Sequence, residues 1–312
     1  MKIAIYGTGK WAQKLVDYIN LFEGIEVSFY LESCPSKRSF HSLPVYTPEQ
    51  CSWEDIDFVV ISSPLFQNEM LDRIIMGEHD DNKICLLNEF IYRHLSKKKC
   101  KIPYMSGETS EGLRYIANSS DIEIIREMFF TGTTYSCYQI SKFLNLAEKY
   151  CGTNGTGYFF DIGANIGTTS IYVKNLMPKV SVIGFEPGAE NFKMFKSNCL
   201  INGMNDIKCE NYGLSNGKAK AYFHYNMHNP GGSSVSEKES GEEVNLVTLD
   251  SYVESHDIPP KNIQYLWMDV EGYEAEVICG GCISSEQERF HCGRNFRPVR
   301  IKQKVLGRII FL

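Results

Sequence analysis

The chain alternates short apolar runs with amphipathic stretches, and the period of each predicts its element. Lys2–Tyr6 is a compact apolar run, which predicts a buried strand. Behind it Ala12, Leu15, Val16, Ile19 and Phe22 recur at helical spacing. Glu26–Leu31 predicts a second strand, and residues 58–62 and 83–87 two more, on either side of a helical stretch at 66–76. Strands that alternate with helices predict a small doubly wound domain over residues 1–95. Residues 96–118 are polar, with Lys97, Lys98, Lys99, Gly107, Ser110 and Gly112, and predict a linker. Helical periodicity resumes at Ile122, Ile125 and Met128, then at Ile140, Phe143, Leu144 and Ala147, a helical lead-in over 119–156.

The pattern then becomes specific. The apolar run from Tyr158 ends in Asp161, and Gly163 and Gly167 follow. A helical stretch leads to a second apolar run that ends in Glu186, nineteen residues after Gly167. Strand, glycine turn, helix, strand and acid make the unit that holds an adenosine-bearing cofactor. The glycines let the backbone pass close to a ligand, and an acid at the second strand end can accept both ribose hydroxyls. Asp161, two residues before the first glycine, would repel a pyrophosphate but suits a cationic ligand with an amino group. S-adenosylmethionine (SAM), with its sulfonium and ammonium, fits that turn better than NAD does.

Further strands follow at 207–212, ending in Gly213-Leu-Ser215, and at 265–268, ending in Asp269-Val-Glu271-Gly272. A polar, glycine-rich loop occupies 229–235 between them. Ligands of open α/β sheets sit beyond the carboxyl ends of the strands. Asp161, Glu186, Gly213, Asp269 and Glu271 are therefore expected to ring one crevice.

The ordered phrases Asp161-Ile-Gly-Ala-Asn-Ile-Gly167, Phe185-Glu-Pro187, Gly231-Gly-Ser-Ser234, Thr248-Leu-Asp250 and Asp269-Val-Glu-Gly272 resemble the FkbM-type SAM-dependent methyltransferases. The likeness covers residues 157–281. It implies a class I SAM-methyltransferase fold, a Rossmann-like doubly wound α/β sheet, and most often methylation of a hydroxyl on a sugar or polyketide-like product. By that match Asp161, Gly163 and Asn165 would line the methionine part of SAM, with Gly167 and Gly213 completing the cofactor turns, and Glu186 would hold the ribose. Asp269 and Glu271 would face the methyl group and the acceptor. One departure is Trp267, where the family often has Lys.

The chemistry implied is an in-line displacement, in which an acceptor oxygen attacks the methyl carbon and its proton must be removed. Asp269 is the expected base, because a carboxylate at that strand end can reach the methyl. Glu271 is the second candidate, although an acid at a helix start is also favoured by the helix dipole alone. His224 is a further candidate base, and Ser233 and Ser234 are candidate contacts to a hydroxylated acceptor.

The amino-terminal turn Gly7-Thr-Gly9-Lys-Trp-Ala12, with Glu32 at the end of the second strand, reads as a dinucleotide or nucleotide-sugar fingerprint. Leu43-Pro-Val-Tyr-Thr-Pro-Glu49 and Asp57-Phe-Val-Val-Ile-Ser-Ser-Pro64 resemble small Rossmann-like modules attached to sugar-modifying enzymes. That resemblance implies a glycan or sugar-nucleotide acceptor and a place in polysaccharide biosynthesis. The alternatives are an NAD(P)-dependent enzyme using this turn, a nucleotide-sugar-binding protein, and a non-catalytic remnant.

Composition narrows the picture further. Of 312 residues, 43% are hydrophobic and 22% charged, as in globular proteins. A net charge of −6 argues against nucleic acid as the main partner. No apolar run approaches a membrane span, and the chain enters its first strand without a signal-peptide plan. Eleven cysteines without framework spacing predict reduced thiols and a cytoplasmic location. Cys279-Gly-Gly-Cys282, near His291 and Cys292, has no second pair at zinc spacing, so no metal is expected. Residues 282–312 hold seven Lys or Arg against two Glu, an abrupt basic shift. A complete class I sheet would need more strands than this tail holds, so truncation, a frame change or completion by an oligomer partner is expected there.

Overall fold

The computed structural model describes residues 1–281, apart from 51, 77–79, 96, 218, 227–232 and 237–238. It divides into two compact units, Met1–Tyr104 and Met105–Leu312. The expected basic tail at 282–312, with Cys282, His291 and Cys292, lies outside the described residues, as do Asn229–Gly232 of the glycine-rich loop. Among the described residues, no helix is long and apolar enough to cross a membrane.

In the first unit, strands β1 (Lys2–Tyr6) and β2 (Glu26–Leu31) flank helix α1 (Lys10–Ile19). A short strand β3 (Ser39–Phe40) turns back into β4 (Leu43–Tyr46), and β5 (Phe58–Ile61), α2 (Gln67–Met76), β6 (Ile84–Leu86) and α3 (Leu87–Phe90) follow. The sheet order is β3-β4-β2-β1-β5-β6, with β1 parallel to both β2 and β5. Helix α1 exists because Ala12, Leu15, Val16 and Ile19 fall on one face and are buried against this sheet. Ala4, Tyr6, Leu31, Val59, Ile61 and Ile74 form the core on one side of it.

The segment expected as a linker, 96–118, is partly folded. Strands β7 (Tyr104–Glu108) and β8 (Arg114–Asn118) make a two-stranded sheet, and the division between units falls at Tyr104. Gly112, with φ +76°, closes its turn by donating its amide hydrogen to the Thr109 carbonyl, so the polar residues there serve a hairpin. A short helix α4 (Ile122–Ile125) and a longer α5 (Cys137–Cys151) lead into the second large sheet.

That sheet is built from β9 (Tyr158–Ile162), α6 (Thr168–Leu176), β10 (Ser181–Phe185), α7 (Ala189–Ile201) and β11 (Lys208–Glu210). A second sheet is inserted next, from β12 (Gly213–Leu214), β13 (Ala219–His224), β14 (Ser234–Ser236) and β15 (Glu242–Val247). Helix α8 (Leu249–Ser255), capped by the Thr248 hydroxyl, returns the chain to β16 (Ile263–Met268) and α9 (Glu274–Gly280). The main sheet has the all-parallel order β11-β10-β9-β16, so β9 lies between β10 and β16 and the order reverses there. This is the Rossmann-like arrangement of a class I methyltransferase sheet. The inserted sheet has the order β12-β15-β13-β14 and its own small core of Ala221, Phe223, Val244 and Leu246. The expected third strand at 207–212 is therefore shorter, and Gly213 opens a strand of the inserted sheet instead of ending one in the main sheet.

Candidate functional site

The turn after β9 is shaped by residues with positive φ. Gly163 has φ +89°, and a Cβ there would sit 2.0 Å from the Asp269 carbonyl oxygen, so only glycine lets the turns after β9 and β16 touch. The amides of Gly163 and Ala164 donate to the Phe185 carbonyl at 3.0 and 2.9 Å, which ties the turn to the end of β10. Asn165 has φ +49°, and its side-chain Oδ1 is buried with no hydrogen-bond partner. Gly167, with φ +84°, starts α6, and a Cβ there would lie 2.1 Å from the Phe195 ring. Its role is to admit that ring. It does not line the cleft.

Glu186 stands immediately beyond β10 and is 3% exposed. Its Oε2 accepts the Asn165 amide and its Oε1 the Gly188 amide, both at 2.9 Å. The Asn211 side chain donates to the carbonyls of Glu186 and Pro187, both at 3.0 Å, and holds this strand end in place. Burial pushes the Glu186 carboxyl up to about 8, against the lowering effect of its amide donors and of Asn191.

Two lobes open beyond the carboxyl ends of β9, β10 and β16. The first is lined by Phe185, Leu214, Phe223, Leu246, Val270 and Tyr273, with Glu186, Asn191, Gly213, Ser233 and Ser234 as its polar groups. An apolar slot with an acid at its side suits a nucleoside. The second is lined by Asp121, Glu123, Asp269 and Glu271, with Tyr135, Trp267, Thr168 and Thr169. Gly163, Asn165 and Asp269 line both lobes and so mark their junction.

Asp269 is open to the cleft, yet the protein around it removes enough solvent to raise its carboxyl, with a further push from Glu274. Glu271 has φ +50°, is exposed, and is raised by burial and by its neighbours Asp269 and Glu274. It lines the second lobe and not the first.

Two expectations change. Asp161 is 1% exposed and takes a 2.6 Å hydrogen bond from Ser170 of α6, so it does not line the cleft. Side chains alternate along β9, and Phe160 and Ile162 fill the core of the opposite face, which turns Asp161 toward the helix. Burial pushes its carboxyl up to about 7. His224 points away from both lobes: its Nε2 pairs with Ser236 Oγ at 2.7 Å within the inserted sheet. Ser233 and Ser234 do reach the first lobe, although Ser233 Oγ also accepts the Asn226 amide at 3.1 Å.

Sequence reasoning missed Asp121, Glu123 and Tyr135. Asp121 caps α4 by accepting the Ile124 amide at 3.2 Å, and burial pushes its carboxyl up to about 7. The one available signal was an acid directly before an apolar helical run, the mark of a cap. Nothing in that signal told which cavity the cap would face. Glu123 is partly neutralised by Arg126 at 3.7 Å. Tyr135 is pushed up to about 12 by burial and by the charges of Asp269 and Glu123. Trp267 packs edge-on against Phe143 at 5.5 Å and forms a wall where a lysine would have brought a charge.

The residues fit SAM. No Lys, Arg or His is among the described residues lining the second lobe, and its four carboxylates favour a cationic ligand. The orphaned Asn165 Oδ1 offers an acceptor at the junction of the lobes, where an ammonium or a hydroxyl could donate to it. Glu186 and the apolar first lobe would hold the ribose and the adenine.

Residues 161–301 match the family described as Methyltransferase FkbM domain, which runs past residue 281 into the segment expected as a divergent tail. Over 180 residues the chain is 21% identical to Methyltransferase 1 of Beauveria bassiana, covering 51% of this chain and 67% of that protein. Over 121 residues it is 28% identical to the hexuronic acid methyltransferase AglP of Haloferax volcanii, covering 39% of this chain and 48% of AglP. The chain thus spans about half the length of that relative. A SAM-dependent methyltransferase structure from Agrobacterium tumefaciens covers 38% of this chain and is itself covered to 36%, at 8% identity and a TM-score of 0.27, too loose a likeness to carry an argument.

Proposed function

We propose that this chain, a methyltransferase whose residues 161–301 match the FkbM family, methylates a hydroxyl of a sugar, in a nucleotide sugar, a glycan or a related precursor. SAM is the methyl donor and supplies the methyl group on a positively charged sulfur. Glu186 and the first lobe bind and orient the nucleoside, and Asn165 accepts a hydrogen bond at the junction of the lobes. Asp269 receives the proton of the acceptor hydroxyl. Its raised affinity for a proton brings it nearer to working pH, which strengthens it as a base. Glu271 contributes negative charge to the second lobe, and Trp267 and Tyr135 wall it. Ser233 and Ser234 offer hydroxyls to an acceptor at the rim of the first lobe.

The observation that carries this reading is the place of Asp269. It is a carboxylate open to the cleft, common to the apolar nucleoside-like lobe and the acidic lobe, where donor and acceptor must meet. The sugar class is supported by the hexuronic acid methyltransferase among the relatives. The test is incubation of the full-length chain with methyl-labelled SAM and a panel of nucleotide sugars, uronic acids and oligosaccharides, with the product atom located by NMR. Label on a sugar oxygen is the expected result. Label only on nitrogen or carbon acceptors would overturn the proposal.

A further inference from the structure

The amino-terminal unit has a cavity of its own that methyl transfer does not use. It lies beyond the carboxyl ends of β1, β2 and β5, where β1 has β2 on one side and β5 on the other and the strand order reverses. Such a switch point is where open α/β sheets take their ligands. The cavity holds about 440 Å³, within the range of roughly 300–1,000 Å³ for small-molecule sites.

Its floor is the turn into α1. At Gly7, φ is +111° and a Cβ would meet Ser62 Oγ at 2.7 Å, so this glycine is explained by the turn itself. Gly9 is different. Its φ of −87° suits any residue, and a Cβ there would meet nothing within 4 Å. Neither backbone nor packing requires glycine at that position, and the space above it is open to a ligand. Helix α1 is ten residues long, starts at Lys10, has no acid in its first turn and no side-chain cap. Its first amides therefore face the cavity as an anion site.

Two further residues point to what completes the ligand. Ser63 is 8% exposed and lines the cavity, so its hydroxyl is within the wall that a ligand would meet. Glu32, just past β2, also lines the cavity, and its carboxylate is oriented by the Thr8 hydroxyl and by the Ser36 amide at 3.4 Å. An oriented acid at that strand end accepts ribose hydroxyls.

We propose that this cavity binds a nucleoside diphosphate group, with the pyrophosphate over Gly9 and the start of α1, the ribose on Glu32, and Ser63 donating to the ligand. A nucleotide sugar and a nicotinamide dinucleotide share that group. The site is independent of the SAM cleft, so failure here leaves the methyl-transfer reading untouched.

The experiment is calorimetric titration of the full-length chain with ADP, UDP, GDP, NAD⁺ and AMP, in wild type, Gly9→Val and Glu32→Gln. At least one diphosphate should bind saturably, and AMP with the same base as the best diphosphate should bind about tenfold or more weakly. Gly9→Val, whose Cβ meets no protein atom within 4 Å, should weaken the diphosphate by about tenfold or more. Glu32→Gln should weaken it as well and serves as the second variant should Gly9→Val not melt cooperatively. Preference for ADP and NAD⁺ identifies a dinucleotide, and preference for UDP or GDP a sugar nucleotide. Absence of binding by all five, or diphosphate affinity unchanged in both variants, overturns the proposal.

Discussion

The backbone amide of Asn165 donates to Glu186 Oε2 at 2.9 Å, so one carboxylate holds the end of β10 against the turn that follows β9. Its other oxygen takes the Gly188 amide at the start of α7. A single buried acid thus orders the turn, the strand end and the helix start that together border the first lobe. The proposed binding role and local stability therefore meet at this residue.

Replacing Glu186 by Ala leaves two amides without their acceptor. Each unsatisfied buried group costs about 1–3 kcal/mol, so urea unfolding should show a loss of at least that size. Titration with SAM should show binding abolished at millimolar ligand. Wild-type affinity in Glu186→Ala would remove this residue from the cofactor site.

Asp269→Asn keeps the shape of the side chain and removes the proton acceptor. The turnover number for a sugar acceptor should fall by about 10²–10⁴, the usual contribution of a positioned base. The dissociation constant for SAM should change by less than about threefold, since the cofactor's apolar lobe is intact. An unchanged rate would assign the base elsewhere, with Glu271 the next residue to replace.

Asp161 makes stability depend on pH. Its carboxyl is near 3.8 when unfolded and is pushed up to about 7 in the fold, so the folded protein holds the proton more tightly. The resulting stabilisation is complete below pH 3.8 and is lost as pH rises through about 7. Asp161→Asn, which still accepts from Ser170 Oγ, mimics the protonated form. Between pH 5 and pH 8 the melting temperature of wild type should therefore fall by roughly 5 °C more than that of the variant. Parallel melting curves across this window would show that the acid does not titrate as described.

Gly167→Ala would place a methyl group 2.1 Å from the Phe195 ring at a φ of +84°. Overpacking costs about 1–3 kcal/mol, and the backbone conformation adds to it. Guanidinium unfolding should register a loss of that order, and Gly167→Ala with Phe195→Leu should recover part of it. Equal losses in the single and double variants would mean that the backbone conformation alone matters.

Asn198 is fully buried, and its side chain bridges three segments. Its Nδ2 donates to the carbonyls of Ile116 and Ile166 at 3.0 and 2.9 Å, and its Oδ1 accepts the Ile116 amide at 2.7 Å. Asn198→Ala should destabilise the second unit by about 2–4 kcal/mol through the orphaned partners. Hydrogen exchange at the Ile116 amide should accelerate first. Unaltered protection there would show that the hairpin is held by other contacts.

Much of the main sheet was legible in the chain itself. Periodicity located β1, β2, β9, β10 and β16 because each is a short, mostly apolar run, and such runs have few alternatives to a buried strand. Glu186, Gly163, Asn165 and Asp269 were legible because strand ends and glycine turns have fixed places relative to a crevice in this architecture. The hairpin at 104–118 was not, since polar residues around Gly112 read alike in a linker and a tight turn. Nor was the role of Asn198, which lies inside α7 and bonds inward to the hairpin. Only the folded chain decided that Asp161 turns to Ser170, that His224 turns to Ser236, and that Asp121 and Tyr135 wall the acidic lobe. Local sequence determines an element and its period. Which face meets a cavity is decided by the neighbours that the fold brings from elsewhere in the chain.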